Sequence, residues 1–461
     1  MATLPALLYG LFAALGTALA LLLLVPVAVL LVQVVAGRRP ALVAPATGRR
    51  PSVALLVPAH DESAGIAAAL ATMLPQLQPG DRVLVVADNC SDATATIASA
   101  CGAQVIERTD TQRRGKGYAL DHGIRHLAAA PPEVVLIVDA DCHIDPGSVD
   151  RLVRECATTL HPVQALDLMQ SPAGAGLNTR IAEFAWAVRN EARPLGCARL
   201  GLPCQLMGTG MAFPWAMIEG AQLASGVVVE DMQLGLDLAA AGTPPRFCHA
   251  ARVTSVFPET EEGTVAQRTR WEHGHLGMIA SRGVPMLLRG VFSGRLALVA
   301  MALDLCVPPL ASLVLMLLLA VIATAVLWAV GGSALPLGLC LLALGLFTLA
   351  IAVAWHCVGR NIVSVGELLA VPQYVLAKLP IYLKLFSARQ MEWVRTKRDG
   401  AQKCRCDEQA RPHASVRPRP HGPQRGGLGD GARLVARGQG LLGLGAITVA
   451  AGEPARTCAP H

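Results

Sequence analysis

Val134-Val135-Leu136-Ile137-Val138 runs without interruption into Asp139-Ala140-Asp141-Cys142-His143, and this junction decides the fold class. An unbroken apolar run rich in β-branched residues suits a strand covered on both faces, and such strands belong to parallel sheets flanked by helices. Two earlier runs repeat the pattern. Val53-Ala54-Leu55-Leu56-Val57 leads into Pro58-Ala59-His60-Asp61-Glu62, and Val83-Leu84-Val85-Val86 leads into Ala87-Asp88-Asn89-Cys90-Ser91-Asp92. Helical patterns over 63–73, 92–101, 116–129 and 147–158 separate these strands by short connections. The economical solution is an α/β nucleotide-binding sheet whose polar strand ends take ligands at the carboxyl edge.

That domain is only part of the chain. With 461 residues, 53% of them hydrophobic, the protein exceeds one typical domain and is too apolar to be wholly soluble. Residues 6–35 carry no charge, which is more than the ~20 apolar residues a bilayer core requires. A cleaved signal peptide competes, but its apolar part is usually about 7–15 residues long and follows basic residues. Here Arg38, Arg39, Arg49 and Arg50 come after the run and would hold its carboxyl end inside the cell.

Two later apolar stretches, 296–330 and 334–358, flank Gly331-Gly332-Ser333 and are expected as an out-and-back pair of spans. Residues 362–386 are interrupted by Pro372 and Pro380 and read as amphipathic helices lying on the membrane surface. The expected division is therefore a transmembrane helix over 1–37, a cytoplasmic α/β domain over 38–295, two transmembrane helices over 296–358, interface helices over 359–399 and a disordered tail over 400–461. This arrangement places a multi-pass protein in the cell (inner) membrane. The formal charge of +6 is concentrated beside the membrane segments, where anionic lipid explains it, and no nucleic-acid motif accompanies it. Thirteen cysteines lack zinc-like spacing; Cys404-Arg405-Cys406 is too tight and isolated.

Several groups could carry chemistry. Asp139 and Asp141 are able to share one loop and hold Mg²⁺ or Mn²⁺ through carboxylate oxygens, although a turn or helix cap uses the same residues. Asp88 closes the second strand and is placed to contact a base or ribose; Asp92 is as well suited to capping the next helix. Arg113-Arg114-Gly115-Lys116-Gly117 offers cations and open amides to phosphates, or is a solvated loop. Glu230-Asp231 starts a helix after apolar Val227-Val228-Val229, which favours Asp231 as a general base over simple capping. In Gln267-Arg268-Thr269-Arg270-Trp271, Arg270 can clamp a diphosphate and Trp271 can stack on a sugar.

Taken in order, these motifs resemble those of membrane-embedded family 2 glycosyltransferases, similar to the cellulose, hyaluronan and poly-N-acetylglucosamine synthases, over residues 51–398. The resemblance implies a GT-A-like nucleotide-binding domain with a mostly parallel sheet, plus transmembrane and interfacial helices. It also implies donor contacts at Pro58, His60, Glu62, Asp88, Lys116 and Asp139, and metal at Asp139 and Asp141. Acceptor contacts fall on Gly208, Thr209, Gly210, Gln267 and Trp271, and catalysis falls on Asp231 with Glu230 and Arg270. The implied reaction is inverting transfer from a nucleotide-sugar, expected to be a UDP-sugar, to a growing polysaccharide. Two departures bear on base and ribose selectivity: Ala87-Asp88 stands where paired acids are usual and Asn89-Cys90 where Gly-Ser is frequent, and His60 precedes Asp61-Glu62 where Asn is frequent.

Other classes fit less well. A transporter would need more intramembrane polar residues than Asp304, His356 and Glu367. A catalytically inactive scaffold would not be expected to keep all the site acids together with Gln267, Arg270 and Trp271. Single-sugar transfer to a lipid-linked acceptor stays open, as does a need for an export partner or second copy, since three spans are few for a polymer channel.

Overall fold

The computed structural model describes residues 4–38, 49–226, 229–258, 261–368 and 370, and the side chains of 4–7 and 261–268 lie outside that description. Most of the expected interface segment 359–399 and all of the tail 400–461 also fall outside the described residues.

Among the described residues, eight strands form one sheet: β1 (Val53–Ala59), β2 (Arg82–Asp88), β3 (Gln104–Arg108), β4 (Val134–Ile137), β5 (His143–Ile144), β6 (Val163–Gln170), β7 (Met211–Pro214) and β8 (Arg246–Val256). Their order is β3-β2-β1-β4-β7-β6-β8-β5, and four of the seven pairings are parallel. The three strands read from the sequence lie side by side in the parallel part. Alternation along β1 shows why its residues form an unbroken apolar run. Val53, Leu55 and Val57 enter one core with Ile66, Leu70 and Val153, while Ala54 and Leu56 enter another with Leu120, Ile124 and Phe213. A strand buried on both faces has no position for a polar side chain until it leaves the sheet.

The helices before β6 are α1 (Leu4–Ala36), α2 (Ile66–Met73), α3 (Thr94–Ala100), α4 (Lys116–Leu127) and α5 (Ser148–Thr159). Then come α6 (Leu177–Ala187), α7 (Arg193–Arg199), α8 (Trp215–Ile218), α9 (Glu230–Ala241), α10 (Glu261–Met278) and α11 (Val284–Phe292). The last are α12 (Leu296–Leu305), α13 (Leu310–Ala329), α14 (Leu335–Ala354) and α15 (Val365–Leu368). A π-helical turn over Val188–Ala192 joins α6 to α7.

Among the described residues, three helices are long and apolar enough to cross a membrane: Leu8–Ala36, Leu310–Ala329 and Leu335–Gly359. The expected single span over 296–330 is therefore corrected. Pro308 and Pro309 interrupt it, because proline lacks the amide hydrogen a helix needs and displaces the preceding residue from helical geometry. The separated piece, α12, buries Leu298, Met301 and Leu305 against Met232, Leu236 and Met278 of the α/β domain.

Where α1 meets α7 the contact is backbone to backbone: a Cβ at Gly196 would overlap the Gln33 carbonyl. This closeness seats a buried polar cluster. Arg193 Nε donates to Gln33 Oε1 at 2.8 Å and its Nη2 reaches Asp304 Oδ1 at 2.7 Å, while Gln33 Nε2 donates to the same Asp304 oxygen at 2.7 Å. The first apolar helix is thus fastened to α7 and α12 by groups that satisfy one another.

Candidate active site

The carboxyl ends of β1, β2 and β4 and the amino end of α9 surround a cleft of about 270 Å³. Its floor begins with two loops joined to each other. His60 Nδ1 lies 2.7 Å from the Asp88 carbonyl, Glu62 N–H donates to Thr94 Oγ1 at 2.8 Å, and Ser91 N–H donates to Asp61 Oδ1 at 2.6 Å. Asp61 and Asn89 both adopt left-handed backbone, with φ of 53° and 51°, which short polar side chains tolerate best. One of the departures, Asn89, therefore occupies a bend itself. Asp92 accepts the N–H groups of Thr94 and Ser63 at 2.9 and 3.0 Å, so it acts as a capping residue that also ties the loops together.

Asp88 lines the cleft, and its Oδ1 is held by Arg108 Nη1 at 2.6 Å. Arg108 in turn lies over the Tyr118 ring, 5.5 Å from its centre. The acid expected to contact the nucleotide is thus oriented by a cation on β3, a strand the sequence reading did not identify.

Lys116, at the start of α4, sits deeper than a phosphate-binding lysine on an open loop would. Its Nζ lies 2.5 Å from Asp139 Oδ1 and donates to the Gly208 carbonyl at 2.7 Å. Burial would lower its ammonium pKa, but Asp139, Glu230 and Asp231 more than reverse this and hold it above the ordinary lysine value. Asp139, Asp141 and Cys142 present ligand atoms within 4.8 Å of one another. Burial pushes the Cys142 thiol well above its ordinary value, so the hard oxygen donors of the set are the two carboxylates. Two carboxylates on one loop fit Mg²⁺ or Mn²⁺, and the ammonium beside Asp139 shows that this carboxylate already faces positive charge.

Glu230 and Asp231 occupy the first turn of α9. Desolvation, with Asp231 beside it, raises the Glu230 carboxyl above its ordinary value; desolvation also raises Asp231, while Lys116, the Met232 amide and Arg189 oppose the rise. Opposite them stands the loop before β7. Gly208, at φ 95°, approaches so closely that a Cβ there would lie 3.3 Å from Asp231 Oδ2. Thr209 Oγ1 accepts from the Asp139 amide at 3.1 Å. Buried Gln164 on β6 holds this loop from behind, accepting from Met207 N–H and donating to the Thr209 carbonyl, each at 2.8 Å.

Thirteen of the expected residues line this one cleft: Pro58, His60, Glu62, Asp88, Lys116, Asp139, Asp141, Gly208, Thr209, Glu230, Asp231, Arg270 and Trp271. Gly210 is not among the residues lining the cleft. At φ 65°, a Cβ on it would come within 2.7 Å of the Ala165 Cβ, so its close packing against β6 and β8 requires glycine. The backbone of Gln267 belongs to α10, but its side chain lies outside the described residues. Arg270 is lowered by desolvation, with Glu230 opposing. Trp271 lies 5.0 Å from the Trp186 ring centre, so part of the platform expected for a sugar is met by a second indole.

Trp186 belongs to a group the sequence reading missed, together with Asp167, Arg189 and Asn190. Asp167 is buried on β6, where its Oδ2 accepts from Asn190 Nδ2 at 3.0 Å and its carbonyl accepts from Trp186 Nε1 at 3.2 Å. Desolvation and nearby Asp139 push its carboxyl up to about 8. A lone acid within Ala165-Leu166-Asp167-Leu168-Met169 was the available signal.

The shift at Asp167 has a sign that can be tested. Its folded pKa lies above its unfolded one, so its contribution to stability is complete below about pH 4 and is lost as pH rises towards 8. In metal-free buffer the protein should melt lower at pH 8.5 than at pH 6, and Asp167→Asn should shrink that difference in a thermal-unfolding series. An unchanged difference would show that Asp167 does not hold the proton.

A mixed sheet with acids gathered at its carboxyl edge defines a GT-A-like nucleotide-binding domain. Residues 51–274 match the family model described as glycosyltransferase like family 2. Over 104 residues the chain is 38% identical to an uncharacterized glycosyltransferase of Mycobacterium tuberculosis, covering 23% of this chain and 43% of that protein. A probable glycosyltransferase of Bacillus subtilis is 26% identical over 240 residues, 49% of this chain and 55% of that protein. The chain thus spans about half the length of the curated relatives it matches. The mannosyltransferase PcManGT from Pyrobaculum calidifontis, solved in complex with GDP-Man and Mn²⁺, superposes with a TM-score of 0.51 at 19% identity. That superposition covers 80% of this chain and 99% of PcManGT, a likeness that shows the fold.

Proposed function

We propose that the protein is an inverting, divalent-metal-dependent glycosyltransferase that passes a sugar from a nucleoside diphosphate sugar to an acceptor hydroxyl at the membrane. The observation that carries this reading is the convergence of Asp231, Asp139, Asp141, Lys116 and Arg270 in one cleft at the carboxyl edge of the sheet. Loops after β1 and β2 hold the nucleoside, with Asp88 directed by Arg108. Lys116 and Arg270 bracket the diphosphate and stabilise the charge it gains on leaving. Asp231, beside the open Gly208 backbone, accepts the proton of the attacking hydroxyl. Direct displacement inverts the anomeric carbon. Mg²⁺ or Mn²⁺ held by Asp139 and Asp141 would supply charge neutralisation at the diphosphate.

The donor is read as a UDP-sugar and the acceptor as the end of a polysaccharide, on the strength of the Gln267, Arg270 and Trp271 pattern; these residues suit repeated addition. A second reading, transfer of one sugar to a lipid-linked acceptor, is favoured by an apolar cavity on the membrane side of Trp271. Membranes containing the protein, supplied with labelled nucleotide sugars and analysed for product size, separate the two. Absence of transfer from every donor would overturn both.

Metal removal gives a direct check. Chelation should lower turnover by on the order of 10²-fold, with recovery on adding Mn²⁺. In calorimetry, Asp141→Asn should weaken Mn²⁺ binding in the presence of nucleoside diphosphate, and full activity in excess chelator would contradict the assignment. For topology, we propose that the amino terminus faces outward and that residues 38–295 and the segment after Arg389 face the cytoplasm. Labelling of Cys404 from outside intact cells would overturn this.

A further inference from the structure

A second cavity, of about 180 Å³, adjoins the cleft. Trp186, Arg189 and Trp271 line both, so these three side chains form the wall between them. Beyond that wall the lining changes character. Ile181 and Phe184 come from α6, Leu310 and Val314 from α13, and Phe347 and Ile351 from α14. The last two helices are among the three long and apolar enough to cross a membrane.

Four polar side chains border this cavity: Arg189, Arg193, Glu272 and His275. Arg193 is bonded to Gln33 and Asp304, as described above. The ring of His275 is bonded through Nε2 to the Leu305 carbonyl at 2.9 Å, and burial drives its pKa down to about 3, leaving it neutral. Apart from those four side chains the lining is apolar, which suits hydrocarbon. Arg189 differs. Its guanidinium carbon lies 5.8 Å from the Trp186 ring centre, and among the described residues it has no hydrogen-bond or ion-pair partner. A cation at the boundary between a polar cleft and an apolar cavity suits the polar junction of an amphiphile.

We propose that this cavity holds the alkyl chain of a membrane-lipid acceptor whose head group lies in the cleft beside Asp231. The inference rests on the second of the two readings above, transfer of one sugar to a lipid acceptor, and adds where the alkyl chain of that acceptor sits. The break at Pro308-Pro309 makes the arrangement possible. By ending α12 before α13 begins, it brings Leu310 and Ala311 to the cavity, so a chain leaving the bilayer between α13 and α14 meets a mostly apolar lining as far as Trp186, Arg189 and Trp271, which border the cleft.

The test uses the full-length protein in lipid nanodiscs with methyl, butyl, octyl and dodecyl β-glucosides as acceptors and a panel of nucleotide sugars. KM should fall by about fourfold per added methylene until the cavity is filled, while kcat changes little. Ala311→Trp, which fills the cavity, should flatten that dependence. A dodecyl glucoside carrying a terminal photoreactive diazirine should label residues within 181–193, 310–314 or 347–351, and excess unlabelled dodecyl glucoside should suppress the labelling. If sugars are transferred but KM is the same for every chain length, the cavity proposal falls and glycosyl transfer stands. If no acceptor receives sugar, the transfer reading falls, and the photolabel decides the cavity alone: labelling confined to other surfaces overturns it. The photolabel on the unaltered protein also decides the matter if Ala311→Trp fails to fold.

Discussion

Asp231→Asn should lower turnover by on the order of 10²-fold or more, equivalent to at least about 3 kcal/mol of transition-state stabilisation, while nucleotide binding stays near its starting level. The amide keeps the shape of the carboxylate and removes only its ability to accept a proton. Stability should move the other way. Burial raises the pKa of Asp231, meaning that its charge is held at a cost in the ligand-free fold, so the uncharged replacement should melt no lower at neutral pH. Loss of activity with an equal or higher melting temperature separates a chemical role from a structural one. Turnover measured against calorimetric nucleotide affinity decides it, and near-normal turnover would remove Asp231 from the mechanism. Glu230→Gln should act more weakly, because this acid shapes the field around Asp231 and Arg270.

The other large effect is expected far from the chemistry. Arg193→Met should destabilise the protein by about 3–5 kcal/mol, since it strands Asp304 and Gln33 in a buried place with no compensating charge. Replacing all three with apolar residues, Arg193→Met with Asp304→Leu and Gln33→Leu, should recover most of that loss, because removing a whole buried network is far less costly than breaking it. Thermal unfolding in detergent would show the pattern. A single variant as stable as the parent would mean that water reaches the cluster and that it does not fasten α1 to the domain.

The three central strands were legible because full burial on both faces leaves a continuous apolar run, and the acids beyond them were legible because the chain becomes polar where it leaves the sheet. β6 was not read, although it supplies Gln164 and Asp167 to the site. Its polar residues look like surface positions until Met207, Thr209 and Asn190 are seen bonded to them. Gly210 is a different case. Its place beside Gly208 and Thr209 suggested a shared task, but a left-handed turn sends neighbouring residues in different directions, and Gly210 packs against Ala165 and Val253.

Composition and periodicity by themselves determined that this is an α/β domain joined to membrane-length helices, with acids at the strand ends, since each of those features is local along the chain. Only the tertiary structure decided which charges meet. Lys116 on Asp139, Arg108 on Asp88, Arg193 between Gln33 and Asp304, and Trp186 beside Trp271 are contacts between residues distant in sequence. Such pairings are set by how the sheet and helices pack, because the strength of a charge or a ring contact depends on distance and burial that no local pattern records.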